Sequence, residues 1–132
     1  PNTSKVQYAS SVESLLKGKV PNEVVVNARF FENGKQEAVS NNYFLTRFKE
    51  INFPKANIHT QAVPSGDGYD VTVSSDVFAR AVFLSIEGID NFFSDNYFDL
   101  IPGEPATIHV TTSLPQEEFV KQLKSESISA AY

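Results

Sequence analysis

The chain has 132 residues, 41% of them hydrophobic and 12% aromatic, and a net charge of −5. That apolar content is ample for a packed core and argues against disorder, while the acidic balance and the lack of a basic cluster argue against nucleic acid or an anionic membrane surface as partner. With no cysteine, neither disulfides nor thiolate metal sites contribute.

Residues 4–9 alternate weakly and predict a short strand. Residues 11–17 predict one or two helical turns, with Ser11 as N-cap and Gly18 as the stop. After the break at Val20-Pro21-Asn22, residues 23–32 form the clearest strand of the first half. Val24, Val26, Ala28 and Phe30 fall on one face, and Val25, Asn27, Arg29 and Phe31 on the other. Asn33-Gly34 follows, the pair that a type I′ hairpin turn favours because both central positions need positive φ. The returning strand is 36–46. Residues 47–54 then lose periodicity, mix charges and end in Pro54. They read as a linker, with Phe48, Ile51 and Phe53 wedged into a junction.

The second half opens with a strand at 57–63, a turn over Pro64-Ser65-Gly66-Asp67-Gly68 and a strand at 69–74. In that strand Tyr69, Val71 and Val73 alternate with Asp70, Thr72 and Ser74, the pattern of one buried face. Residues 81–86 (AVFLSI) are nearly all apolar and predict a central strand. A polar corner at Ser94-Asp95-Asn96 leads to a strand at 97–100, and Pro102-Gly103 predicts a type II turn with Gly103 at positive φ. Residues 106–112 form the next strand, with Ile108 and Val110 inward and Thr107, His109 and Thr111 outward. A helix to about Leu123 should follow, opened by a Ser113–Gln116 capping box with Pro115 in its first turn. A last strand covers 124–129. Short strands with turn signals at this spacing are what an immunoglobulin-like sandwich shows.

The densest stretch packs Phe92, Phe93, Tyr97 and Phe98 into seven residues. The run Phe93-Ser94-Asp95-Asn96-Tyr97-Phe98-Asp99-Leu100, followed by Pro102-Gly103-Glu104, resembles the signature of the C-terminal immunoglobulin-like domain of β-mannosidases of glycoside hydrolase family two. The resemblance extends from about Phe53 to the C-terminus, and more loosely back to Asn2-Thr3-Ser4, which is similar to the middle of the preceding immunoglobulin-like domain. It implies an all-β chain: a partial immunoglobulin-like segment at 1–47, a linker at 48–54 and a sandwich at 55–132. It also implies that the two catalytic carboxylates belong to a barrel domain upstream, so that no position here inherits them. The expected role is then scaffolding, with the other domains of the parent glycosidase as partners. The missing methionine, even at position 1, reads as an internal or processed piece. The compartment stays open, a secreted or periplasmic parent included.

Read for chemistry, the chain offers little. Asp95, Asp99 and Glu104 are the nearest approach to a carboxylate grouping, but on a tight corner such groups usually accept backbone N–H bonds. Asp67-Gly68-Tyr69-Asp70 is similar to a calcium loop, yet lacks the alternating acids and the late glutamate and reads as a hairpin turn. His59 and His109 lie on separate strands with no ligand near in sequence, and read as exposed strand residues. There is no Gly-x-Ser-x-Gly elbow, no phosphate loop and no call for a cofactor. The aromatics could form a sugar-stacking platform, but Tyr97, Phe98, Phe83 and Phe30 sit in patterns that predict burial; Tyr8, Tyr43 and Tyr132 have no assigned place. The rivals to scaffolding are a free-standing carbohydrate-binding module and a cell-surface adhesion module. Because the first segment supplies too few strands for a sandwich, its hairpin should expose Val24, Val26 and Phe30 and favour a homodimer.

Overall fold

The computed structural model describes residues 4–31 and 37–128. The chain divides into two compact units, Pro1–Asn52 and Phe53–Tyr132. Among the described residues no helix is long and apolar enough to cross a membrane.

The first unit contains helix α1 (Val12–Leu16) and the hairpin of β1 (Val25–Phe31) and β2 (Glu37–Phe44). Ser11 is the N-cap, its hydroxyl accepting from the Ser14 N–H at 3.2 Å. The helix ends at Lys17, whose left-handed backbone returns its N–H to the Glu13 carbonyl, and Gly18 continues at φ +80°. No strand forms at residues 4–9, and Val6 and Tyr8 are exposed. A weakly alternating stretch stays irregular when no ladder receives its backbone groups.

The Asn33-Gly34 turn and the φ of Gly34 lie outside the described residues. A two-residue turn there would place Phe30 opposite Glu37, but the ladder places it opposite Val39, and a bulge follows between Phe30 and Phe31. An even slip keeps every side chain on its expected face. One face carries an amide cluster: Asn27 donates to Asn42 at 2.9 Å and to Ser40 at 3.0 Å, and Arg29 donates to Asn27 at 2.6 Å. None of the described side chains of this unit is buried. A 3-10 turn at Phe48–Glu50 sets the Phe48 ring edge-on to Phe44 at 6.4 Å.

The second unit is built from seven strands: β3 (Ile58–Ser65), β4 (Gly68–Ser75), β5 (Ala79–Ser85), β6 (Phe92–Phe93), β7 (Phe98–Leu100), β8 (Ala106–Thr111) and β9 (Lys124–Glu126). They form two antiparallel sheets, ordered β3-β4-β8-β6 and β7-β5-β9. Val71 and Val73 of β4, Ile108 and Val110 of β8, Val82 and Leu84 of β5, and Leu100 of β7 share one buried cluster. Two sheets closed on one core make the sandwich that the alternation predicts.

Several elements differ from the sequence reading in instructive ways. The β3–β4 turn is only Gly66-Asp67, with Gly66 at φ +54°, so Pro64 lies inside β3. That is tolerable because β3 is an edge strand, where a missing N–H costs no ladder bond. The capping box is not made: helix α2 (Gln116–Gln122) starts after Pro115, without a side-chain cap. A residue before proline avoids the helical region, which disfavours a helix that starts at Leu114, and Pro115 itself is the extended N-cap, so Ser113 falls outside the helix. Strand β6 was not foreseen, and β9 is three residues long and flanks β5, which is central to its sheet as expected.

Candidate functional site

The aromatic run passes from β6, paired with β8, through a corner to β7, paired with β5, and its polar residues are turned onto the main chain. The Asp95 carboxylate accepts from the Asn96 N–H at 2.8 Å, a local turn bond. The Asn96 side-chain amide accepts from the Leu84 N–H at 2.8 Å and donates to the Leu84 carbonyl at 2.9 Å. It thereby takes the place of a backbone partner on β5. Asp99 accepts from the Ala81 N–H at 3.0 Å with one oxygen and pairs with Arg80 through the other. Arg80 and Ala81 form the bulge between the paired positions Ala79↔Leu100 and Val82↔Phe98, and Ala81 stands at φ +47°. Asp99 thus clamps a strained bulge, holding the Ala81 N–H with one oxygen and the Arg80 side chain with the other.

The apolar residues divide differently from expectation. Leu100 is 1% exposed and belongs to the core; Phe93 and Phe98 pack against it half-buried. Tyr97, expected in the strand and buried, is 70% exposed. Its φ of +63° ends the ladder and throws the ring outward, where it stacks on Phe83 at 5.4 Å. Phe30, which alternation turns inward and a hairpin short of partner strands should leave open, is 58% exposed, whereas Val24 and Val26, expected to be exposed with it, are half-buried. Phe92 is exposed as well. Pro102-Gly103 makes the type II turn: Glu104 N–H donates to the Ile101 carbonyl at 3.0 Å and Gly103 stands at φ +78°.

A second cluster was missed. His109 on β8 does point outward, yet it has partners: Nδ1 lies 2.7 Å from an Asp70 oxygen and Nε2 lies 3.0 Å from an Asp67 oxygen. Asp70 is its cross-strand partner and Asp67 sits in the β3–β4 turn. The hydrogen bonds to Asp70 and then Asp67 raise the His109 pKa, and those to His109 lower both carboxylates. The outward face of each strand was legible, but nothing in sequence brings residues some forty positions apart into register. Elsewhere the Asn57 N–H and side-chain amide hold Asp76 ionised at 3.0 and 2.7 Å, and Lys124 pairs with Glu87 and lowers its carboxyl. Among the described residues no group of three or more His, Cys, Asp or Glu is placed to hold a metal ion.

A crystal structure of β-D-mannosidase from Dictyoglomus thermophilum shares this fold, with a TM-score of 0.66 at 22% sequence identity. The match covers 78% of this chain, more than its second unit alone, and 13% of that one. The chain therefore spans a small part of the length of the mannosidase it matches. None of the curated proteins compared matches it. The profile of the mannosidase Ig-fold domain matches residues 53–131, which are the second unit almost in full. The chain belongs to this mannosidase family of Ig-fold domains.

Proposed function

We propose that the chain is a non-catalytic accessory region of a β-mannosidase, a scaffold on which the other domains of the parent pack. Retaining hydrolysis of terminal β-D-mannose would be carried by an upstream barrel domain. The observation that supports this reading is the use made of the family-like motif. Asp95, Asn96 and Asp99 direct their polar atoms onto the domain's own backbone or a neighbouring arginine. A carboxylate committed to a bulge N–H and an arginine is a poor acid, base or nucleophile for a sugar.

The test couples function to stability. The purified chain is expected to turn over no aryl β-mannoside and to give no saturable heat with mannose oligomers. Asp99→Ala should lower its melting temperature, since hydrogen bonds to a charged group are worth about 1.5–3 kcal/mol. Turnover that co-purifies with the chain and vanishes in Asp99→Asn, or saturable sugar binding that vanishes in Tyr97→Ala, would overturn the reading.

The same reading assigns the first unit to packing. Phe30, Phe31 and Tyr43 are exposed on a two-stranded sheet, an arrangement only marginally stable in water by itself. In isolation two copies should pair through these hairpins, giving a homodimer. Sedimentation over a range of concentrations should show the dimer dissociating on dilution; a strict monomer at every concentration counts against it.

A further inference from the structure

The His109 cluster makes sense in only one charge state. Each ring nitrogen faces a carboxylate oxygen, at 2.7 Å for Asp70 and 3.0 Å for Asp67. An ionised carboxylate can only accept, and a neutral imidazole carries a single N–H. Both contacts are therefore hydrogen bonds only when the ring is an imidazolium. Remove one proton and a carboxylate is left facing a lone pair.

The two carboxylates are not held equally. Asp70 sits within the β4 ladder, paired on both sides, and the Ser65 hydroxyl also bears on it. Asp67 lies in a two-residue turn. Its carbonyl accepts from the Thr112 N–H at a long 3.3 Å, and the Thr111 hydroxyl bears on its carboxylate. The shorter contact, to Asp70, keeps the last proton, and the turn loses its hold. His109 is also a fixed point for the aromatic corner. Its N–H donates to the Ser94 hydroxyl and its carbonyl accepts from the Ser94 N–H, each at 2.9 Å.

We propose that His109 is a proton-operated latch that, as an imidazolium, closes the Gly66-Asp67 turn onto β8 and, on losing its proton, releases it. The charged groups bearing on the ring are Asp70 from β4 and Asp67 from the turn. On its other side β6 supplies Phe92 and Phe93, and Ser94 follows, none of which titrates. The sign follows from the shifts. The His109 pKa is raised above 6.5, so the latch is fully closed below that value and opens as pH rises through the higher one. Both aspartates are lowered below 3.8, so at the acid end it survives until pH falls through their depressed values. Because the cluster is exposed on one side, added salt should weaken it.

The test is a nuclear magnetic resonance titration of the whole chain from about pH 5 to about pH 9, the range in which histidine changes charge. The His109 ring should titrate with a midpoint above 6.5, moving down in both Asp67→Asn and Asp70→Asn. Across the same midpoint, protection of the Thr112 amide, corrected for intrinsic exchange, should fall roughly two- to fivefold, the size of one exposed ion pair. Asp67→Asn should remove that pH dependence, and His109→Gln should do the same while holding Thr112 at the high-pH level. A ring midpoint at or below 6.5, or Thr112 protection that stays flat through the ring's titration, would overturn the latch.

Discussion

Phe119→Ala is expected to destabilise the chain by about 3–5 kcal/mol, the usual result of truncating a fully buried Phe. Phe119 is 0% exposed and is the only buried residue of the seven-residue helix α2. A helix that short is not stable by itself in water and depends on the face it docks. The ring stacks on Tyr69 at 4.2 Å with 17° between planes, and the Tyr69 hydroxyl donates to the Leu114 carbonyl at 2.7 Å. Losing Phe119 therefore opens a cavity and also unseats the connection from β8 to the helix. For a domain of this size each kcal/mol moves the melting temperature by about 4–8 °C, so a drop of more than about 12 °C is expected. A shift of only a few degrees would mean that the helix settles into the vacated space. Phe98→Ala should cost less, since Phe98 is half-buried against the core and not inside it.

Gly68→Ala is expected to be nearly as damaging, for a reason unrelated to positive φ. A Cβ built on Gly68 falls 1.9 Å from the Val110 carbonyl oxygen and 2.9 Å from its carbon. Both atoms are main chain, so no side chain can rotate away, and the two interior strands β4 and β8 must part at the start of their ladder. Overpacking of this kind costs about 1–3 kcal/mol or more. Gly103→Ala makes the useful comparison. Nothing lies within 4 Å of its added Cβ, so only the left-handed backbone at φ +78° is penalised, by about 1–2 kcal/mol. Melting curves of the two variants check this, and a Gly68→Ala chain as stable as Gly103→Ala would contradict the close approach.

The sequence reading succeeded where periodicity decides. Val71, Val73, Ile108 and Val110 are inward because a strand puts every second residue on one face. Pro102-Gly103 and Ser11 are equally local: each residue's own backbone preference selects its turn or cap. What was hidden depends on partners distant in sequence. Tyr97 reads as a strand residue until Asn96 finds Leu84 and the ladder stops. His109 reads as solitary until register brings Asp70 opposite it. Ser113 was misassigned although a local rule, the restriction that Pro115 places on Leu114, could have corrected it.

Strand β5 is nearly continuous apolar sequence, the type of segment that recruits further strands when an edge is open. On its β7 side the ladder ends after Val82↔Phe98, which would leave the Leu84 N–H and C=O facing outward as a template. The Asn96 amide fills both at once, and the left-handed backbone at Tyr97 separates it from the strand that follows. The gap beyond the end of β7 is thus closed to strand addition at Leu84 by one side chain. A chain without that amide would keep its core and its turns, yet would present two unpaired backbone groups on a strand rich in apolar residues.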